Sequence, residues 1–208
     1  MIAPVDHLPR IFQANLHRFY TRVVKTAIDN LEPAERWEFE TPESLDAGLD
    51  RARAQVNAHT RNEAAKAFVL VMSALFERQL RHWASFMFSS PRKPTVQTQG
   101  LEALLADCIA HARIDGVKDG VAEMLITGHN VANVVRHGDG KTSAMLRASA
   151  PQFWQSDPQH YVDINPGPSP ESALIVIPAD YLLLYTRAGL RFWGRADRLS
   201  GAIEEPPI

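Results

Sequence analysis

Asn62-Glu-Ala-Ala-Lys-Ala-Phe68-Val-Leu-Val-Met72-Ser-Ala-Leu-Phe76 is the stretch whose reading decides the fold. It contains no glycine or proline, and it continues to about residue 86 without a breaker. Residues 68–72 are apolar all round, which a helix tolerates only when neighbours cover every side, so this element reads as the centre of a helical bundle. Beyond Phe76 the same helix turns polar, with Glu77, Arg78, Gln79, Arg81 and His82.

The elements on either side repeat the helical signal. From about residue 8 to 31, Phe12, Leu16, Phe19, Tyr20, Val23, Val24, Ala27, Ile28 and Leu31 recur at i, i+3, i+4 and i+7, the period of an amphipathic helix that Pro33 ends. Residues 38–43 read as a connector. Thr41, Pro42 and Glu43 supply a cap hydroxyl, a first-turn proline and an acid at the positive end of the dipole, and the stripe Leu45, Leu49, Ala52 and Val56 follows. Residues 89–99, with Pro91 and Pro94, read as a loop carrying Arg92 and Lys93. Further helices are expected over about 101–112 and 117–137, and Thr142 or Ser143 is placed to cap a short one ending near Ala148.

Composition then changes. Residues 151–178 hold six of the fourteen prolines, and Asn165-Pro-Gly-Pro-Ser-Pro170 excludes regular structure. Ala173-Leu-Ile-Val-Ile177 is either a short strand or an extended packing segment, and a lone strand would need a partner. Phe153, Trp154, Tyr161, Val162 and Ile164 are too apolar for a free linker, so the segment is expected to fold back on the bundle. A last helix is expected over 180–199, and the tail 201–208 reads as mobile. Trp83, Trp154 and Trp193 read as packing residues, with Phe192-Trp193 assigned to the core or to a partner surface. The fold class is all-α: a bundle of about five main helices over 1–150, with a Pro-rich segment and terminal helix at 151–208 packing on the same domain.

The 208-residue chain is 45% hydrophobic and 22% charged, with a net charge of −2, so no overall basic field announces nucleic acid. The single cysteine, Cys108, excludes an intrachain disulfide and sits on an apolar helix face with Leu101, Leu104, Leu105 and Ala112. Residues 1–10 show neither a positive leader nor an apolar signal core. The apolar run 64–76, broken by Lys66 and Ser73, is too short to cross a bilayer. A soluble, cytoplasmic protein without a membrane partner is the expectation.

Chemistry concentrates in His129-Asn-Val-Ala-Asn133-Val-Val-Arg136-His137-Gly-Asp-Gly140. On a helix, His129, Asn130, Asn133, Arg136 and His137 fall within an arc of about 120°, opposite Val121, Met124, Leu125, Gly128, Val131, Ala132 and Val135. Capping alone would account for some of these groups, since Arg136 and His137 complement the negative helix end. Five polar groups on one arc exceed that need. Arg136-His137-Gly138 has the form of the phosphate-binding motif of histidine phosphatases but lacks the preceding strand. Gly140-Lys-Thr142 lacks the first glycine of a P-loop, because Val135 stands there. His129 and His137 are not at the i, i+4 spacing of a helical metal pair, so neither a metal nor a cofactor is expected.

The segment Ala132-Asn133-Val134-Val135-Arg136-His137 resembles the motif of the HEPN superfamily of small helical domains, found in bacterial ribonucleases, toxins and phage-defence proteins. Asn133 falls on the motif's polar position and His137 on its histidine, followed by Gly-Asp-Gly. The motif arginine falls on Ala132. The resemblance covers about residues 8–150. It implies a metal-independent ribonuclease in which His137 is acid or base, Asn133 orients it, and Arg136 stabilises charge. Arg78, Arg81 or Lys141 would stand in for the missing cation, with His129 and Asn130 as further binding groups. It also implies a homodimer with the motif helices near the interface, and a toxin–antitoxin or defence setting. The alternative is a catalytically silent module of the same class that binds RNA, a nucleotide or a cognate partner protein. Ala132 favours that alternative.

Overall fold

The computed structural model describes residues 4–31, 45–88, 93–155 and 170–208, and its regular structure is all helical. The α-helices are α1 (Leu8–Phe19), α2 (Lys25–Asp29), α3 (Leu45–Met87), α4 (Lys93–Thr98), α5 (Leu101–Ala112), α6 (Val121–His137), α7 (Lys141–Ser149) and α8 (Tyr181–Ala196). Among the described residues no strand forms. The all-α bundle expected from the hydrophobic period is the fold.

The expected helix over 8–31 is present, but a π-helical turn at Tyr20–Val24 separates α1 from α2. The two helices expected on either side of residues 57–61 are one, the 43-residue α3. Asn57-Ala-His-Thr-Arg61 contains no breaker, so nothing stops propagation between the two apolar stripes. At 1.5 Å per residue α3 is roughly 65 Å long, more than the bundle can cover. Among its described side chains none before Asn62 is buried, and Leu49 and Val56 remain exposed. The expected helix start at Thr41 and the connector at 38–43 lie outside the described residues. So do Arg92, Asn165 and the apolar residues Tyr161, Val162 and Ile164.

The other half of α3 is the spine. Val69, Met72, Phe76, Leu80, Trp83 and Ala84 are buried on it. Helix α8 packs against α1 and α6. Phe192 and Trp193 are fully buried, so they belong to the core and not to a partner surface. The Trp193 ring lies edge-on to Phe12 at 5.0 Å and to Trp83 at 5.6 Å between centroids. Cys108 is buried in the core, where desolvation, with a smaller effect from Asp107, pushes its thiol up to about 12.

Two further expectations change, those of the loop at 89–99 and of the C-terminal tail. Residues 93–98 of the expected loop form α4. Of the two readings offered for residues 173–177, the extended packing segment is the one that forms, and not a strand. A 3-10 turn at Glu171–Leu174 leads into an extended stretch with no ladder of its own. Asn62 clamps that stretch, donating from Nδ2 to the Ile175 carbonyl and accepting the Ile177 N–H on Oδ1, both at 2.9 Å. Asp139 of the Gly-Asp-Gly turn accepts the N–H groups of Glu171 (3.0 Å) and Ser172 (2.6 Å), and the Ser172 hydroxyl, with these backbone bonds behind it, holds its carboxyl below the usual range. A residue of the turn that follows α6 therefore caps a turn some thirty positions later.

The tail is docked, not mobile. The buried Gln13 amide donates to the carbonyls of Leu190 (2.9 Å) and Ile203 (2.7 Å), and His17 Nε2 lies 2.9 Å from the Pro207 carbonyl. Arg191 makes a bidentate pair with Glu205, and Arg195 Nε donates to Glu204 at 2.6 Å. The strap crosses α8 at Gly194, where a Cβ would lie 2.5 Å from the Ile203 carbonyl oxygen.

Candidate functional site

Helices α3 and α6 pack side by side, and their polar faces meet. On α3, Ser73, Ala74, Glu77, Arg78, Arg81 and His82 recur at steps of four, so they share one face. On α6, His129, Asn133 and Arg136, at steps of four and three, also share a face, with Ala132 between them. With Gln97 from α4 these residues line an open cleft of about 430 Å³.

The floor is set by packing. A Cβ at Gly128 would lie 2.1 Å from Cε2 of Tyr185, so the ring of α8 fills the notch that this glycine leaves in α6. Burial raises the Tyr185 phenol. Ser73 partly offsets that rise and Glu77 adds to it, which places all three near the base of the cleft. The phenol oxygen has no partner in hydrogen-bonding geometry.

Arg81 is a strut. Its Nε and Nη2 donate to Glu77 Oε1 at 3.0 and 2.6 Å, and its guanidinium also donates to the carbonyls of Val96 (2.6 Å) and Gln99 (2.9 Å). Its charge is thus balanced by Glu77, and its fork ties α4 to α3. Arg78 and Arg136 are exposed, and neither has an ion pair or hydrogen bond among the described residues. They leave the cleft with two uncompensated positive charges.

His129 sits between the two helices, with Nδ1 3.8 Å from Glu77 Oε2 and Nε2 3.0 Å from Asn133 Nδ2. With the Asn133 amide donating, the ring proton is on Nδ1, towards Glu77. Burial lowers the His129 pKa. Glu77 opposes that shift, and Arg81 and Arg136 reinforce it. The imidazole is therefore neutral at neutral pH.

The structure brings together five of the sequence-derived candidates: His129, Asn133, Arg136, Arg78 and Arg81. His137, Asn130 and Lys141 are not among the lining residues, and His137 and Lys141 are exposed on the turn between α6 and α7. The imidazole in the cleft is His129, the other histidine of the polar arc. Ala132, which the resemblance sets at the motif arginine position, lines the cleft one helical turn before Arg136. Ser73, Glu77, His82 and Gln97 were not singled out from sequence. The signal for Glu77 and His82 was present: they lie in the polar half of α3, the natural counterpart of a polar arc on a neighbouring helix.

Among the described residues no group of His, Cys, Asp and Glu is arranged to hold a metal ion, and no helix is long and apolar enough to cross a membrane. Comparison of the chain with protein-family models, with curated proteins and with solved structures gives no match.

Proposed function

We propose that the α3–α6 cleft binds the phosphate backbone of RNA, in a HEPN-like helical domain that acts first as a binding module. The observation that carries this reading is the pair Arg78 and Arg136. Both line one cleft, and neither is neutralised by a carboxylate among the described residues. Two unpaired guanidinium groups over a concave surface suit phosphoryl oxygens, which arginine meets with a planar fork. The Glu77–Arg81 pair adds no net charge, so the field in the cleft is that of the two free arginines. The homodimer, the cognate partner protein and the defence setting follow from the family resemblance alone.

The test is fluorescence anisotropy with a labelled single-stranded RNA. The Arg78→Ala/Arg136→Ala double variant is expected to lose binding while keeping its helical circular dichroism. Equal affinity in the double variant and the wild type would defeat the reading.

A second reading, a metal-independent ribonuclease, is favoured by the neutral His129. A neutral imidazole can accept the proton of a 2′-hydroxyl as its oxygen attacks phosphorus. The 5′-oxygen then leaves and takes a proton from solvent, and a 2′,3′-cyclic phosphate forms. Arg136 would stabilise the charge on the phosphoryl oxygens. His129 Nε2 would first have to release Asn133. Cleavage of total RNA and of a defined tRNA in EDTA, lost in His129→Ala and retained in His137→Ala, would establish this reading. Loss in His137→Ala alone would return the role to the motif histidine. Absence of cleavage by the wild type would leave the binding module.

A further inference from the structure

We propose that Glu77 and Ser73 read a ribose 2′-hydroxyl, so that the cleft selects RNA over DNA. This rests on the phosphate-binding reading above and adds a specificity that the arginines cannot supply, because both polymers carry the same phosphates.

The two oxygens of Glu77 are used differently. Oε1 takes two hydrogen bonds from Arg81. Oε2 accepts no hydrogen bond among the described residues, and His129 Nδ1 lies 3.8 Å from it. An acceptor-only carboxylate inside a phosphate-binding cleft repels its ligand unless the ligand brings a donor. In a nucleic acid strand, the donor that lies beside every phosphate and is independent of the base is the 2′-hydroxyl, which is present only in RNA.

Ser73 completes the pair. It stands one helical turn before Glu77 on the same face and lines the cleft with 3% of its surface exposed. Behind it lies Tyr185, 2% exposed, with its phenol oxygen unpartnered. A serine hydroxyl donates and accepts, and so does a 2′-hydroxyl. The ribose oxygen can therefore accept from Ser73 while its proton goes to Glu77 Oε2. A base amine offers only donors and would satisfy Glu77 but not Ser73.

The experiment compares a short labelled oligouridine with its deoxyuridine counterpart, which share base and phosphates, on the full chain. Wild type is expected to favour the ribose strand about tenfold, the scale of a hydrogen bond to a charged group. Ser73→Ala and Glu77→Gln are expected to bring that ratio towards one. Glu77→Gln should leave affinity for the deoxyribose strand equal or higher, because it removes the carboxylate that balances Arg81 and leaves the cleft one charge more positive. Equal binding of the two strands by wild type, or a ratio unchanged in both variants, overturns the proposal while leaving phosphate binding intact. Binding of neither strand overturns this proposal and the phosphate-binding reading together.

Discussion

The Tyr185 ring of α8 lies in the notch left by Gly128 of α6, so close that a Cβ there would sit 2.1 Å from Cε2 and 2.3 Å from Cδ2. The helix pair can approach this closely only because residue 128 has no side chain, and His129 is the next residue on the chain. Gly128→Ala should therefore destabilise the protein by about 1–3 kcal/mol, since a rigid ring cannot move aside in a packed core. Tyr185→Phe should be close to neutral, because the phenol oxygen it removes is buried and unpartnered. Urea denaturation of the two variants checks both. A destabilised Tyr185→Phe would mean that the oxygen has a partner.

The C-terminal strap is held by side chains far from it in sequence. Gln13→Ala would leave the Leu190 and Ile203 carbonyls without their amide donor, and a loss of about 1–3 kcal/mol is expected. Gly194→Ala would place a methyl group against the Ile203 carbonyl and the Glu204 backbone, so the strap should leave. Hydrogen exchange then reports it: amides near residues 203–205 should exchange faster in Gly194→Ala, while those of α3 keep their protection. Unchanged exchange at the strap would contradict the packing described.

Asn62 replaces a β-ladder with two side-chain hydrogen bonds. Asn62→Ala would strip the buried Ile175 carbonyl and Ile177 N–H of their partners at once. The expected cost is about 2–4 kcal/mol. Asn62→Asp keeps an acceptor for Ile177 but offers the Ile175 carbonyl no donor, so it should not rescue stability. Thermal unfolding of the two variants decides this.

These interactions explain what the sequence makes legible and what it does not. The helices show because their signal is periodic and local: Phe12, Leu16 and Tyr20, or Val121, Leu125 and Val131, declare a buried face unaided. The polar arc on α6 is legible for the same reason, and it led to His129, Asn133 and Arg136. Which histidine enters the cleft is not local. His129 and His137 lie on one arc, and only the position of α3 and the end of α6 at Gly138 separates them. The tail misled because residues 201–208 carry no periodic signal and their order comes from Gln13, Gly194, Arg191 and Arg195, each on a distant helix. The extended segment 175–178 is similar, since its backbone partners are the Asn62 amide on α3 and the Phe153 carbonyl, both distant in sequence.

Protonation of His129 gives the last expected behaviour. Burial places its folded-state pKa below the ordinary value of 6.5. Well above pH 6.5 the ring is neutral in both folded and unfolded chains and the site costs nothing. As pH falls through 6.5 the unfolded chain takes up the proton first, so stability declines, and the decline levels off once pH passes below the folded-state pKa. His129→Gln should remove that part of the pH dependence, read as the difference in denaturation midpoint between about pH 7.5 and about pH 5.5. Ligand binding should run the other way. A phosphoryl group between Arg78 and Arg136 favours the imidazolium, so RNA affinity should rise as pH falls over the same interval. In His129→Gln that rise should be absent, while the dependence on Arg78 and Arg136 persists. An affinity that increases equally in wild type and His129→Gln would place the titrating group elsewhere and separate His129 from the bound anion.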